Sequence, residues 1–108
     1  MERRAEQIYS TLADDPAQGD VIDAFVVTLA ERIDTLQDLD SHSELTELAA
    51  NASELSLDAA KAGFASLSRG AAGVADAAGE GGRAASHKAL VELTEIARRI
   101  RLGHRGAV

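Results

Sequence analysis

Cysteine is absent from this chain of 108 residues. That excludes disulfides, thiolate metal sites and thiol nucleophiles together. A reducing compartment is compatible with it, and the expectation is a cytoplasmic protein. Proline occurs once, at Pro16, so long helices meet no obstacle over nearly the whole length. Aromatic side chains number three, Phe25, Phe64 and Tyr9, so a core has to be assembled from Leu, Ile, Val and Ala. Long apolar runs are missing as well. The longest stretch, Ala24 to Val27, is far too short to span a bilayer. Met1-Glu2-Arg3-Arg4 leads into Ala-Glu-Gln and not into an apolar segment, so no signal peptide is expected.

What is present is enough for one helical domain. Hydrophobic residues make up 45% of the chain, an ordinary share for a globular protein of this size. The formal net charge is -7. Residues 1–97 hold all 18 acidic residues and seven of the 11 cations, whereas Arg98, Arg99, Arg101 and Arg105 crowd the end. An acidic body of this kind argues against nucleic acid or an anionic membrane as a partner. The terminal arginines suit a helix end, where cations are favoured by the macrodipole.

Apolar spacing predicts five helices and no strands. The first, over 2–14, places Ala5, Ile8 and Leu12 on one side. The second, over 21–38, opens at Asp20 as a candidate N-cap and repeats Ile22, Phe25, Leu29, Ile33 and Leu36 at threes and fours. The third, over 42–62, follows Ser41-His42-Ser43-Glu44, which has the form of a capping box. Its stripe is Leu45, Leu48, Ala52, Leu55, Ala59 and Ala62. Gly63 is placed to end it in a left-handed conformation, with Phe64 folding back. The fourth, over 65–78, turns Leu67, Ala71, Val74 and Ala78 inward, and its small residues predict close packing. Gly79 to Gly82 forms a flexible link. The fifth, over 83–102, points Ala89, Leu93, Ile96 and Ile100 inward and stops at Gly103, leaving a basic tail over 103–108. Four amphipathic helices with short links imply an antiparallel up-down-up-down bundle over about 18–102. The short first helix is expected across one end.

Candidate chemistry is sparse. The histidines are His42, His87 and His104, with no His-x-x-x-His or Glu-x-x-His pair, so neither a metal nor another cofactor is expected. His42 is expected at a helix start, His87 at a solvated position early in the fifth helix, and His104 in the tail. The glycines of 79–82 follow a helix and lack a Gly-Lys-Ser/Thr sequence, which argues against a phosphate loop. Carboxylates are many, but none is isolated in an apolar setting, so acid–base catalysis has no specific support.

Leu55 to Leu67 reads L-S-L-D-A-A-K-A-G-F-A-S-L. This resembles the signature of the histidine-containing phosphotransfer (HPt) domains of bacterial phosphorelays, L-A-H-x-L-K-G-x-A followed by a Gly-Phe pair and a Leu. Phe25 to Leu36 (F-V-V-T-L-A-E-R-I-D-T-L) looks like the second helix of that family, and Leu90 to Arg101, with its Arg-Arg-Ile-Arg ending, looks like its last. The family's fold is an antiparallel four-helix bundle with a short extra N-terminal helix. Anchored on Leu55 and Gly63-Phe64, the resemblance puts Ser53 where the phospho-accepting histidine belongs. It puts Ser56 at the position of the family's lysine and Leu57 at that of its glycine. All three reactive positions are therefore replaced, and 43–86 contains no histidine to take over.

Serine is a poor substitute in a relay, because its phosphate ester is too stable to pass on. It also needs an adjacent base, and the helical neighbours of Ser53 are Ala49, Ala50, Ser56 and Leu57. The resemblance thus implies a non-enzymatic protein that binds a response-regulator receiver domain or a histidine kinase without accepting phosphate. The candidate contact residues are Ala50, Ser53, Glu54, Ser56, Leu57 and Lys61. Two alternatives stand beside it: phosphotransfer through a displaced histidine, His87, and a helical scaffold or dimerisation module unrelated to phosphorelays.

Overall fold

The structure, a computed structural model, describes residues 10–11 and 19–106. Four helices follow one another: α1 (Gly19–Ser41), α2 (Leu45–Lys61), α3 (Ala65–Gly79) and α4 (Arg83–Gly106). Each packs on the next, and α4 returns to pack on α1, closing an antiparallel four-helix bundle. No strand occurs among the described residues. The helix expected over 2–14 lies outside the described residues except for Ser10 and Thr11, which are not helical. Ser10 is buried, and its hydroxyl donates to the carbonyl of Ala62. The backbone N–H of Thr11 donates to Gly63 O at 2.9 Å. This short segment is thereby fastened to the α2–α3 link.

All three inter-helix links are built alike. In the α2–α3 link, Phe64 N–H donates to Ala59 O at 2.9 Å and Gly63 N–H to Ala60 O at 3.1 Å. Gly63 sits at φ 85°, the left-handed conformation expected from the sequence. This pattern is a Schellman motif, which satisfies carbonyls left open at a helix end. The α3–α4 link repeats it around Gly81 at φ 78°, with Gly82 N–H on Ala77 O at 3.0 Å. The α1–α2 link repeats it again, with Glu44 N–H on Leu39 O at 2.9 Å, but here the left-handed residue is Ser43, at φ 58°.

Three boundaries differ from the sequence expectation. Ser41 belongs to the last turn of α1, where its hydroxyl donates to Asp38 O at 2.9 Å, so the expected capping box does not form. Glu44 takes the N-cap position of α2 without a side-chain cap bond. The reason is that Leu39 and Asp40 are still buried, which carries α1 past 38. At its other end α1 begins at Gly19, so Asp20 lies inside the first turn, where its carboxylate still meets the positive end of the helix. Gly103 does not stop α4. It is buried, and the helix runs on to Gly106. A helix tolerates an interior glycine at about 1 kcal/mol when tertiary contacts hold the segment.

The core follows the expected stripes closely. Phe25, Leu29, Ile33 and Leu36 of α1, Leu48, Ala52, Leu55 and Ala59 of α2, and Leu67, Ala71, Val74 and Ala78 of α3 are all buried. In α4 the inward face is Leu90, Leu93, Ala97 and Ile100, while Ala89 and Ile96 are only partly covered. Alanine and glycine line the meeting faces of α2, α3 and α4 and bring those backbones together. A Cβ on Gly70 would lie 3.2 Å from Leu93 Cδ1 and 3.3 Å from Ile96 Cδ1. α1 meets its neighbours through larger side chains and stands farther off. Phe25 and Phe64, the two phenylalanines, stack with ring centroids 5.7 Å apart.

Phe25→Ala is expected to cost about 3–5 kcal/mol, the combined loss of burial and ring contact, measured by urea titration. A loss below about 1 kcal/mol would remove the ring pair from the core's energetics. Gly63→Ala is expected to cost about 1 kcal/mol or more in the same titration, because a Cβ is disfavoured at that φ. A neutral result would show that the link relaxes without a left-handed residue.

Candidate functional site

α2 presents one face to α1 and α3 and the opposite face to solvent. Ser53 lies at its midpoint and is exposed, as expected from the sequence. Ala50, Glu54 and Lys61 are exposed with it. Leu57 is 63% exposed, one turn beyond Ser53 on the same side. Five of the six candidate contact residues therefore share an open surface. Ser56 does not. It is half-buried against α3, its hydroxyl donating to Ser68 O at 2.8 Å and lying 3.1 Å from Ser68 Oγ. Its hydroxyl thus ties α2 to α3.

The flanks of this face are more enclosed than Ser53 itself. Asn51 is partly covered and donates to Glu47 O at 2.9 Å. Asp58 is partly covered too, and accepts from Arg32 Nη1 of α1 at 2.9 Å. Both members of that ion pair touch water, so its net contribution is about 0–1 kcal/mol, but it fixes which groups border Leu57. Ser53 itself has only Ala49, Ala50, Ser56 and Leu57 within one turn, and no base among them. Nucleophilic activation of its hydroxyl has no source in this arrangement.

A second cluster joins the end of α1 to the start of α4. His87 Nδ1 lies 2.7 Å from Asp40 Oδ2. A carboxylate can only accept, so the Nδ1–H donates and the lone pair of the neutral ring falls on Nε2. The His87 side chain is 65% exposed and that of Asp40 10%. The other oxygen of Asp40, Oδ1, is buried and has no protein partner. His87 is thus solvent-exposed early in α4, as expected from the sequence, with one ring nitrogen held by a buried acid. Sequence reading missed Asp40, although its spacing carried a signal. Ile33, Leu36 and Asp40 continue the three-four rhythm of the α1 stripe, which turns Asp40 inward.

His42 sits in the α1–α2 link and not at the start of a helix. Its Nδ1–H donates to the carbonyl of Asp38 at 2.8 Å, with the Asp38 carboxylate 3.5 Å away. That carbonyl bond first, and the carboxylate second, hold the His42 pKa above the ordinary imidazole value. On α4, Arg98 and Glu95 pair at 2.8 Å, and the arginine bond lowers the Glu95 pKa. The side chain of His104 lies outside the described residues.

Among the described residues no group of three or more His, Asp or Glu side chains is arranged to hold a metal ion. No described helix is long and apolar enough to cross a membrane. No known protein family, no curated protein and no solved structure matches the chain.

Because the His42 pKa is raised on folding, its contact adds stability below the ordinary histidine value and loses it as pH climbs through the raised one. Titration followed by NMR is expected to place His42 above an unperturbed histidine. Asp38→Asn is expected to bring it only part of the way down, since the carbonyl bond remains. Complete return to the ordinary value would assign the whole effect to the carboxylate.

Proposed function

We propose that this chain is a docking module of the phosphorelay type. It is an HPt-like bundle that binds a receiver domain or a histidine kinase through the outer face of α2 and does not itself accept phosphate. The observation that carries this reading is the exposed row of Ala50, Ser53 and Leu57, with a protruding leucine and no base beside the serine. The four-helix scaffold and the sequence pattern of Leu55 to Leu67 support the same reading. In the family a glycine at the position of Leu57 leaves room for a partner's active site to reach the imidazole. A leucine there replaces access with an apolar anchor, and burying it on a partner contributes about 1.5–3 kcal/mol.

The test is calorimetric titration of the chain with a panel of receiver and histidine-kinase domains. Binding is expected, with Leu57→Asp weakening it about tenfold or more while the thermal melt stays unchanged. Binding that ignores Leu57, or none to either partner class, overturns the reading.

The Asp40–His87 pair favours a second reading, in which His87 is the phosphoryl acceptor. With Nδ1–H held by Asp40, the Nε2 lone pair faces outward and can attack an acyl phosphate. The N–P bond forms as the acyl O–P bond breaks, the carboxylate leaves, and Nδ1 keeps its proton. Incubation with a phosphorylated receiver distinguishes the two. An acid-labile, base-stable label that disappears in His87→Gln would establish this second reading and remove the first. An unlabelled chain would exclude the second.

A further inference from the structure

We infer that this chain forms a domain-swapped dimer with a second copy of itself. In it the α1–α2 link opens, α1 and α2 run on as one helix, and each α1 seats on α2, α3 and α4 of the other copy. The inference does not depend on the docking reading.

The first observation is the link. Gly63 and Gly81 hold the left-handed positions of the other two links, whereas the α1–α2 link places Ser43 at φ 58°. A residue with a Cβ is strained there, and continuous helix is the conformation that relieves it. No helix-breaking residue opposes that change. From Asp38 to Leu45 the chain contains neither glycine nor proline. Short links under strain are where exchange of an element between copies begins.

The second observation is what α1 carries. Phe25, Val26, Leu29, Ile33, Leu36 and Leu39 are all buried, the largest apolar contribution of any helix. Released from its own bundle, α1 cannot stay bare in water. The seat whose shape matches it is the groove left by α1 of another copy. α1 also stands farther from α2 and α4 than α3 does. Its polar fastenings are side-chain contacts that form equally well between copies: Arg32 to Asp58 at 2.9 Å, Gln37 Nε2 to Thr94 Oγ1 at 3.2 Å, and His87 to Asp40 at 2.7 Å. Exchange therefore keeps the native contacts, relaxes two strained links per dimer, and is opposed by the entropy of association.

The test begins by refolding the full chain from urea at high and low concentration and sizing it by light scattering after chromatography. A slowly dissociating dimer is expected at high concentration. Ser43→Gly removes the strain and is expected to reduce dimer about tenfold or more, whereas Ser43→Ala, which disfavours the left-handed link and favours helix, increases it. Because the chain has no cysteine, exchange is also read directly. Arg32→Cys and Asp58→Cys variants, refolded together, are expected to be joined one to one by a short bismaleimide cross-linker that spans the length of the Arg32–Asp58 pair, well above the yield of either variant alone. A chain that stays monomeric, a dimer indifferent to both Ser43 variants, or a dimer without the mixed cross-link overturns the inference.

Discussion

Each reversal of the chain depends on one residue whose backbone turns left-handed. Three links of three residues leave no slack for a helix to end gradually. The carbonyls of the last turn must be capped within the link, and the residue that closes the cap also starts the next helix. Glu44, Phe64 and Gly82 each play both parts: the N–H of each bonds back to the helix before, and the carbonyl accepts from the helix after. Antiparallel packing of neighbours follows from this geometry, because a link this short can only return the chain alongside itself.

Given those reversals, side-chain size decides how near the helices come. Small residues on α3, with Gly70 against Leu93 and Ile96, draw α3 onto α4. α1 faces the same core with phenylalanine, leucine and isoleucine and is held away by their bulk. α3 is therefore packed closely between α2 and α4, with the bulkier α1 closing the bundle on the other side. The two candidate surfaces divide along the same line: the Ser53–Leu57 row lies on the outside of α2, and the Asp40–His87 pair sits where α1 meets α4.

The apolar rhythm made most of this architecture legible before any coordinates. The stripes of α2 and α3 could be read residue by residue, because a helix with one wet face has to repeat at threes and fours. Gly63 could be read as a cap because glycine followed by phenylalanine answers two needs of a helix end together. The α1–α2 boundary could not. Ser41-His42-Ser43-Glu44 satisfies the rule for a helix start, yet tertiary burial of Leu39 and Asp40 outweighs that local preference. In the candidate site, exposure of Ser53 and Leu57 was legible from their place off the stripe. The turn of Ser56 toward Ser68 was not, since it depends on where α3 comes to lie. The bond between Asp40 and His87 joins residues 47 positions apart, beyond the reach of any local pattern.

Helix lengths add one consequence. At about 1.5 Å per residue, α1 and α4 are roughly 35 Å long, whereas α2 and α3 are roughly 22–26 Å. The surplus leaves a step at the end of the bundle where α1 begins, α4 finishes and the α2–α3 link turns. Ser10 and Thr11 are fastened to that link, so this segment occupies the step. Leads into and out of the bundle thus gather at one pole. A tether attached there, whether a neighbouring domain or a surface used in an assay, leaves the opposite pole with His42 and His87 free. It leaves the flank bearing Leu57 free as well. The candidate surfaces therefore lie along the side and at the far tip, away from the pole where α1 begins and α4 finishes.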